Sequence, residues 1–101
     1  MAEPTQIFVI ELHYTTDDLS KIDALLDAHM AFIDAQYDAG IFLASGPKVP
    51  RVGGVILAKG DDLEVMKDLM KQDPFMIEGV ADYSYTAFLP RRTDSKAFAN
   101  L

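Results

Sequence analysis

His29 and Asp73 are the residues of this chain whose types best suit the movement of a proton. An imidazole titrates near neutrality, and a carboxylate beside it can hold one tautomer and stabilise the cation, as the orienting member of a catalytic triad does. His29 interrupts the greasy face of an amphipathic helix. With Ile22 at zero and 100° per residue, Leu25, Leu26, Phe32, Ile33 and Tyr37 fall within about 80° and His29 about 20° away. The ring therefore points toward the core or a pocket in it, where it must find a partner or lose its charge. The plain alternative for His29 is a core histidine hydrogen-bonded to a neighbour. For Asp73 it is turn chemistry, because Asp before Pro is common at helix ends and bonds local N–H groups.

Other candidates are weaker. Arg51 sits on a loop between Pro50 and Gly53, where it could meet an anionic ligand or be solvated charge. Ser45 has no adjacent base, so its hydroxyl suits hydrogen bonding to a ligand or to backbone better than nucleophilic attack. Tyr83 and Tyr85 share one face of the last strand and could line a cavity, although strand tyrosines usually pack. His13, at the end of the first strand, reads as a surface residue. Two distant histidines and no HExxH-like spacing argue against a metal, and no cofactor is expected.

The elements that position these residues follow from periodicity. Gln6 to Tyr14 reads as a strand, with Phe8, Ile10, Leu12 and Tyr14 on one face and Ile7, Val9, Glu11 and His13 on the other. Thr15 or Thr16 caps a helix with Asp17 and Asp18 in its first turn, running to about Ala39 and stopped by Gly40. Ile41 to Ser45 forms a second strand ended by Gly46-Pro47. Lys48 to Gly53 is a loop, and Gly54 to Lys59 is strand three. A second helix starts at Gly60 with Asp61 or Asp62, places Leu63, Met66 and Met70 on one face, and ends at Asp73-Pro74. A short turn from Phe75 to Glu78 is stopped by Gly79, and Ala81 to Leu89 is the last strand.

The order βαββαβ predicts an α+β, ferredoxin-like sandwich: a four-stranded antiparallel sheet with two helices on one face. The other face would carry Ile7 and Val9, and both alternation sets of strand three are apolar (Val55 and Leu57; Ile56 and Ala58), so an exposed sheet is unexpected. A homodimer packing these faces together is the economical solution, with a cavity between the sheets as a natural ligand site.

At 101 residues the chain is expected to be one domain, residues 1–101, with a core at about 6–90 and a tail at 91–101. A formal charge of −7 argues against nucleic-acid binding, which needs clustered Lys and Arg. An RNA-recognition reading of the same topology fails further because strand three, GGVILAKG, has no aromatic residue to stack bases. There are no cysteines, which excludes disulfides and thiolate chemistry. The stretch MAEPTQ lacks signal-peptide character, and no apolar run is long enough for a membrane helix. A cytoplasmic protein with no nucleic-acid or membrane partner is expected.

In order along the chain stand a first strand, a helix with His29 in its second half, and Ser45-Gly46-Pro47. Pro50-Arg51 and Gly53-Gly54 lead into strand three, followed by Asp73-Pro74-Phe75, Gly79 and a closing Phe88-Leu89-Pro90. In this combination the chain resembles the YCII-related (YciI-like) family of the dimeric α+β barrel superfamily. The resemblance implies a homodimer with an active site built on His29 and Asp73. Ser45, Gly46 and Pro47 would lie beside them in the cleft as substrate contacts, together with Phe75 of the aspartate motif. Many relatives have an arginine about a turn before the histidine. Leu25 and Leu26 stand there in this chain, so holding an anionic group would fall to Arg51. Dehydrochlorinase activity on chlorinated hydroxylated aromatics is associated with the family, and related barrels include lactone isomerases. The expected function is a small cofactor-independent enzyme that uses the His–Asp pair for elimination or isomerisation on a small aromatic or enolisable substrate. The alternative is a non-catalytic small-molecule-binding or sensor domain of the same fold.

Overall fold

The computed structural model describes residues 5–99. The start of the MAEPTQ stretch, Met1–Pro4, and the last two residues of the tail, Asn100 and Leu101, lie outside the described residues.

Strand β1 spans Gln6–Tyr14 and is central. It pairs antiparallel with β3 (Gly53–Gly60) on one side and β4 (Ala81–Phe88) on the other, and β2 (Phe42–Pro47) lies outside β3, giving the order β2-β3-β1-β4. The alternation expected of β1 holds. Phe8, Ile10 and Leu12 are buried in the core with Ile56 and Ala58 of β3, while Glu11 and His13 are exposed on the opposite face. Ile7 is also buried, but it does not belong to the contiguous core. The helices cover the first face through Ile22, Ile33, Met66, Met70 and Phe75. This is a ferredoxin-like α+β architecture.

The first long connection departs from the single helix expected from Thr15 or Thr16 to Ala39. It is two helices, α1 (Leu19–Asp23) and α2 (Leu26–Asp38). The cap of α1 is Asp18, whose carboxylate accepts from the Ser20 N–H at 3.0 Å and the Ser20 hydroxyl at 2.6 Å. Neither threonine is free for that task. Thr16 Oγ1 accepts from the Asp18 N–H, and Thr15 Oγ1 donates to the Gly79 carbonyl at 2.8 Å. Between the helices the Leu25 N–H bonds to Ile22 O, three residues back, before the ordinary four-residue pattern resumes with His29 N–H to Leu25 O. Such a local tightening carries no Pro or Gly signal. Its effect is to put His29 in the first turn of α2, not in the second half of one long helix.

The second connection is a helix followed by a short helical turn, as expected, with the first helix ending earlier than Asp73. Helix α3 (Leu63–Met70), capped by Asp62, ends before Asp73, and Asp73 caps a further short helix, α4 (Pro74–Ile77). Gly40 and Gly79, at φ of 75° and 68°, terminate α2 and α4 in the left-handed region that glycine enters without strain. Strand β2 includes Gly46 and Pro47, which were expected to end it. Proline is tolerated there because β2 is an edge strand with one side unpaired.

Candidate functional site

Asp73 occupies its place for a local reason. As the residue before Pro74 it is extended (φ −68°, ψ 125°), and its Oδ1 accepts the Phe75 N–H at 3.0 Å, capping α4. The α4 segment is fastened to the end of β1, where the Thr15 N–H and hydroxyl bond the carbonyls of Val80 and Gly79. Helix α4 packs against α2 and β4, and this sinks the Asp73 side chain completely, at 0% exposure.

The carboxylate meets His29 there: Nδ1 lies 2.7 Å from Asp73 Oδ1. With Asp73 as the carboxylate, which only accepts, Nδ1 is the donor and in the neutral ring Nε2 then carries the lone pair. Phe75 lies flat against the imidazole, with centroids 3.8 Å apart and an interplanar angle of 2°, and the Tyr14 ring braces Phe75 edge-on at 6.3 Å. The ring is thus fixed by one hydrogen bond and one stacked face. Its side chain is 12% exposed, and Nε2 has no hydrogen-bond partner among the described residues.

The exposed edge of His29 borders a cavity of about 390 Å³. The cavity lies on the helix-covered side of the sheet within one copy of the chain, walled by Leu12, Leu26, Met30, Ile33, Ile56 and Phe75. Room exists here because β2 and β3 present Ser45, Gly46, Gly53 and Gly54 at the wall in place of large side chains. At Gly53 a Cβ would sit 1.8 Å from the Leu12 carbonyl oxygen, so only glycine allows β3 to pass this close to β1.

All five residues expected to contact substrate border this cavity: Ser45, Gly46, Pro47, Arg51 and Phe75. Ser45 Oγ is hydrogen-bonded to Tyr37 Oη at 2.8 Å. Arg51 Nη2 donates to Asp23 Oδ1 at 2.7 Å. The loop carrying it is pinned by Tyr14 N–H to Val52 O and Lys48 N–H to Gly53 O, both 2.9 Å. One of the guanidinium nitrogens is therefore already engaged by Asp23, and the residue as a whole borders the cavity. His13 is exposed, away from this site. Among the described residues no cluster of three or more His, Cys, Asp or Glu side chains could hold a metal ion.

One member of the constellation was only partly legible. Tyr83 donates its hydroxyl to Asp73 Oδ2 at 2.5 Å, from the side opposite His29. Its register partner across β1 is Leu12, a core-facing residue, so its parity directs it to the helix side. That parity was the available signal, but a strand tyrosine on a core face ordinarily packs. Tyr37, which is hydrogen-bonded to Ser45, carried no signal beyond its aromatic type.

Central β1, flanking β3 and β4, an edge β2 and helices on one face define the ferredoxin-like class. A mostly apolar cavity with a carboxylate-backed imidazole at its wall is set into that framework. The chain belongs to the YCII-related domain family, whose model matches residues 7–89. Among solved structures it is similar to 5-chloro-2-hydroxyhydroquinone dehydrochlorinase from Burkholderia phenoliruptrix AC1100, in complex with 2,5-dihydroxybenzoquinone. The TM-score is 0.68 at 15% sequence identity, covering 89% of this chain and 96% of that one. No curated protein sequence matches significantly.

Proposed function

We propose that this protein is a small enzyme in which His29 acts as general base and then general acid, with Asp73 as its orienting partner. The observation that carries the reading is the 2.7 Å bond from His29 Nδ1 to a fully buried carboxylate, which leaves Nε2 as the basic atom beside an apolar cavity. In this scheme Nε2 removes a proton from an activated C–H or O–H of the substrate, and Asp73 stabilises the imidazolium. Returning the proton to another atom completes an isomerisation; departure of a leaving group completes an elimination. The cavity's apolar walls exclude water and favour a small flat ring, and Arg51 supplies one positive charge for an oxyanion on it. The relative's chlorinated hydroxyquinol substrate is of that kind. The pair needs no cofactor for this chemistry.

The working unit in this proposal is a homodimer through the sheet face opposite the helices, where Val9, Val55 and Leu57 are only half-buried. Light scattering should give twice the chain mass of 11.2 kDa.

The test is turnover of a panel of halogenated hydroxyquinols and enolisable ring ketones by wild type, His29→Ala and Asp73→Asn. A compound turned over by the wild type should lose about 100- to 10,000-fold in kcat on His29→Ala. A compound that binds in the cavity with equal affinity to wild type and His29→Ala, and is never consumed, would replace the enzyme with a binding module.

A further inference from the structure

Asp73 has two oxygens, and the acid–base scheme uses one. Oδ1 takes the His29 ring hydrogen at 2.7 Å and the Phe75 N–H at 3.0 Å, while Oδ2 takes the Tyr83 hydroxyl at 2.5 Å. Resting on the reading that His29 and Asp73 form an acid–base pair, we propose that Tyr83 is a positioning residue. Its hydrogen bond to Oδ2 fixes the plane of the carboxylate and keeps the shared proton on His29 Nδ1, so that Nε2 remains the base.

The argument is one of charge placement in a dry site. Asp73 is fully buried, so no bulk water can take over from the phenol. With the hydroxyl removed, Oδ2 is left without a donor, the negative charge gathers on Oδ1, and the carboxylate becomes more basic. The protonated pair then shifts from carboxylate and imidazolium toward carboxylic acid and neutral imidazole. The Nδ1 proton passes to Oδ1 while the proton taken up from solvent stays on Nε2, which no longer offers a lone pair to the cavity. A single O–H on the far side of the carboxylate thus selects which ring nitrogen does the chemistry.

Tyr83 suits this task in three respects. It stands on β4, paired with the central strand opposite Leu12, so its ring is held by the sheet. Burial first, then the hydrogen bond to Asp73 and the charge of Asp73, push its phenol well above the ordinary range, so it stays a donor wherever the protein is folded. The other titratable groups round it do not compete for Asp73. Tyr83 borders a second hollow with Lys67, Lys71, Asp82 and Tyr85. Lys67 lies 3.7 Å from Glu64 and 5.7 Å over the Tyr85 ring, and Lys71 lies 3.0 Å from Asp68.

Phenylalanine would serve equally well if Tyr83 only packed, so Tyr83→Phe is the discriminating variant. The probe is the ¹⁵N spectrum of the His29 ring in the full chain, at a pH where the ring is neutral, for wild type, Tyr83→Phe and Asp73→Asn. The wild type should show the Nδ1–H tautomer and a low-field Nδ1–H proton. In Tyr83→Phe the ratio of Nδ1–H to Nε2–H should fall by about tenfold, the scale of one charge-assisted hydrogen bond. Wild-type ring shifts in a folded Tyr83→Phe would overturn the proposal and leave the His29–Asp73 pair standing. Wild-type shifts in Asp73→Asn would instead remove the pair itself. Should Tyr83→Phe not fold, the wild-type Tyr83 hydroxyl proton decides. A slowly exchanging low-field resonance close to the His29 Nδ1–H supports the proposal, and a hydroxyl proton in fast exchange with solvent overturns it.

Discussion

The N-termini of α3 and α4 begin with the same device and end up doing different things. Asp62 Oδ1 accepts the Glu64 N–H at 2.8 Å, and Asp73 Oδ1 accepts the Phe75 N–H at 3.0 Å. Both residues are extended, and both carboxylates bond the amide two positions on. Asp62 stays exposed and spends its remaining capacity on the Val65 N–H at 3.3 Å. Asp73 is fully buried, and its remaining capacity goes to an imidazole from α2 and a phenol from β4. A cap is local chemistry. Depth decides whether it becomes a site, because a buried carboxylate cannot turn to water and must be satisfied by whatever side chains the fold brings.

Removing each carboxylate tests that difference most severely. Asp73→Ala leaves the His29 ring, the Phe75 amide and the Tyr83 hydroxyl without their acceptor, and should cost about 3–5 kcal/mol, as expected when one partner of a buried pair is removed. Asp62→Ala loses only a cap and should cost about 1 kcal/mol. Urea denaturation of the two variants measures both, and equal losses would reduce Asp73 to an ordinary cap.

The alkaline limb of stability comes next in size. Burial and Asp73 raise the folded-state pKa of Tyr83, and burial chiefly raises that of Tyr85. A raised folded pKa means that this stability is fully present below the unfolded tyrosine value near 10 and is lost as pH climbs past it. Tyr83, the more buried of the two, should contribute a slope of up to about 1.4 kcal/mol per pH unit above that point, and the more exposed Tyr85 a smaller one. The slope in Tyr83→Phe, followed by thermal melting from pH 9 upward, should be shallower than in the wild type.

The smallest effect belongs to the third capping aspartate, Asp18, whose pKa is lowered mainly by the Ser20 hydroxyl and then by the Ser20 amide. A depressed folded pKa gives stability that is present above the unfolded value near 4 and is lost as pH falls through the folded one. Asp18→Asn should therefore flatten the acid limb slightly. Because the side chain is fully exposed to solvent, a large effect would mean that exposure does not separate the caps.

Much of the framework was legible beforehand. The bounds of β1, both glycine stops and the strand–helix order follow from signals that act within a few residues. The pairing of His29 with Asp73 came from family resemblance, since 44 positions separate them and periodicity carries no information over that distance. The split between α1 and α2 escaped because it consists of one tightened hydrogen bond at Leu25 with no Pro or Gly to mark it. The early end of α3 at Met70 escaped because Lys71 and Gln72 carry no stop signal, whereas the short helical turn after Asp73-Pro74 was read beforehand.

By itself, then, the sequence determined the order of strands and helical connections, the bounds of β1 and the two glycine stops, because propensity, capping and positive-φ glycines are properties of neighbouring residues. It also determined that a histidine would face inward. The tertiary structure alone decided that Asp73 would be sealed from solvent, that Tyr83 would reach its second oxygen, and that small residues on β2 and β3 would leave a cavity at the histidine's edge. Burial and hydrogen-bond partnership across α2, α4 and β4 depend on what each element packs against, and no stretch of chain carries that information alone.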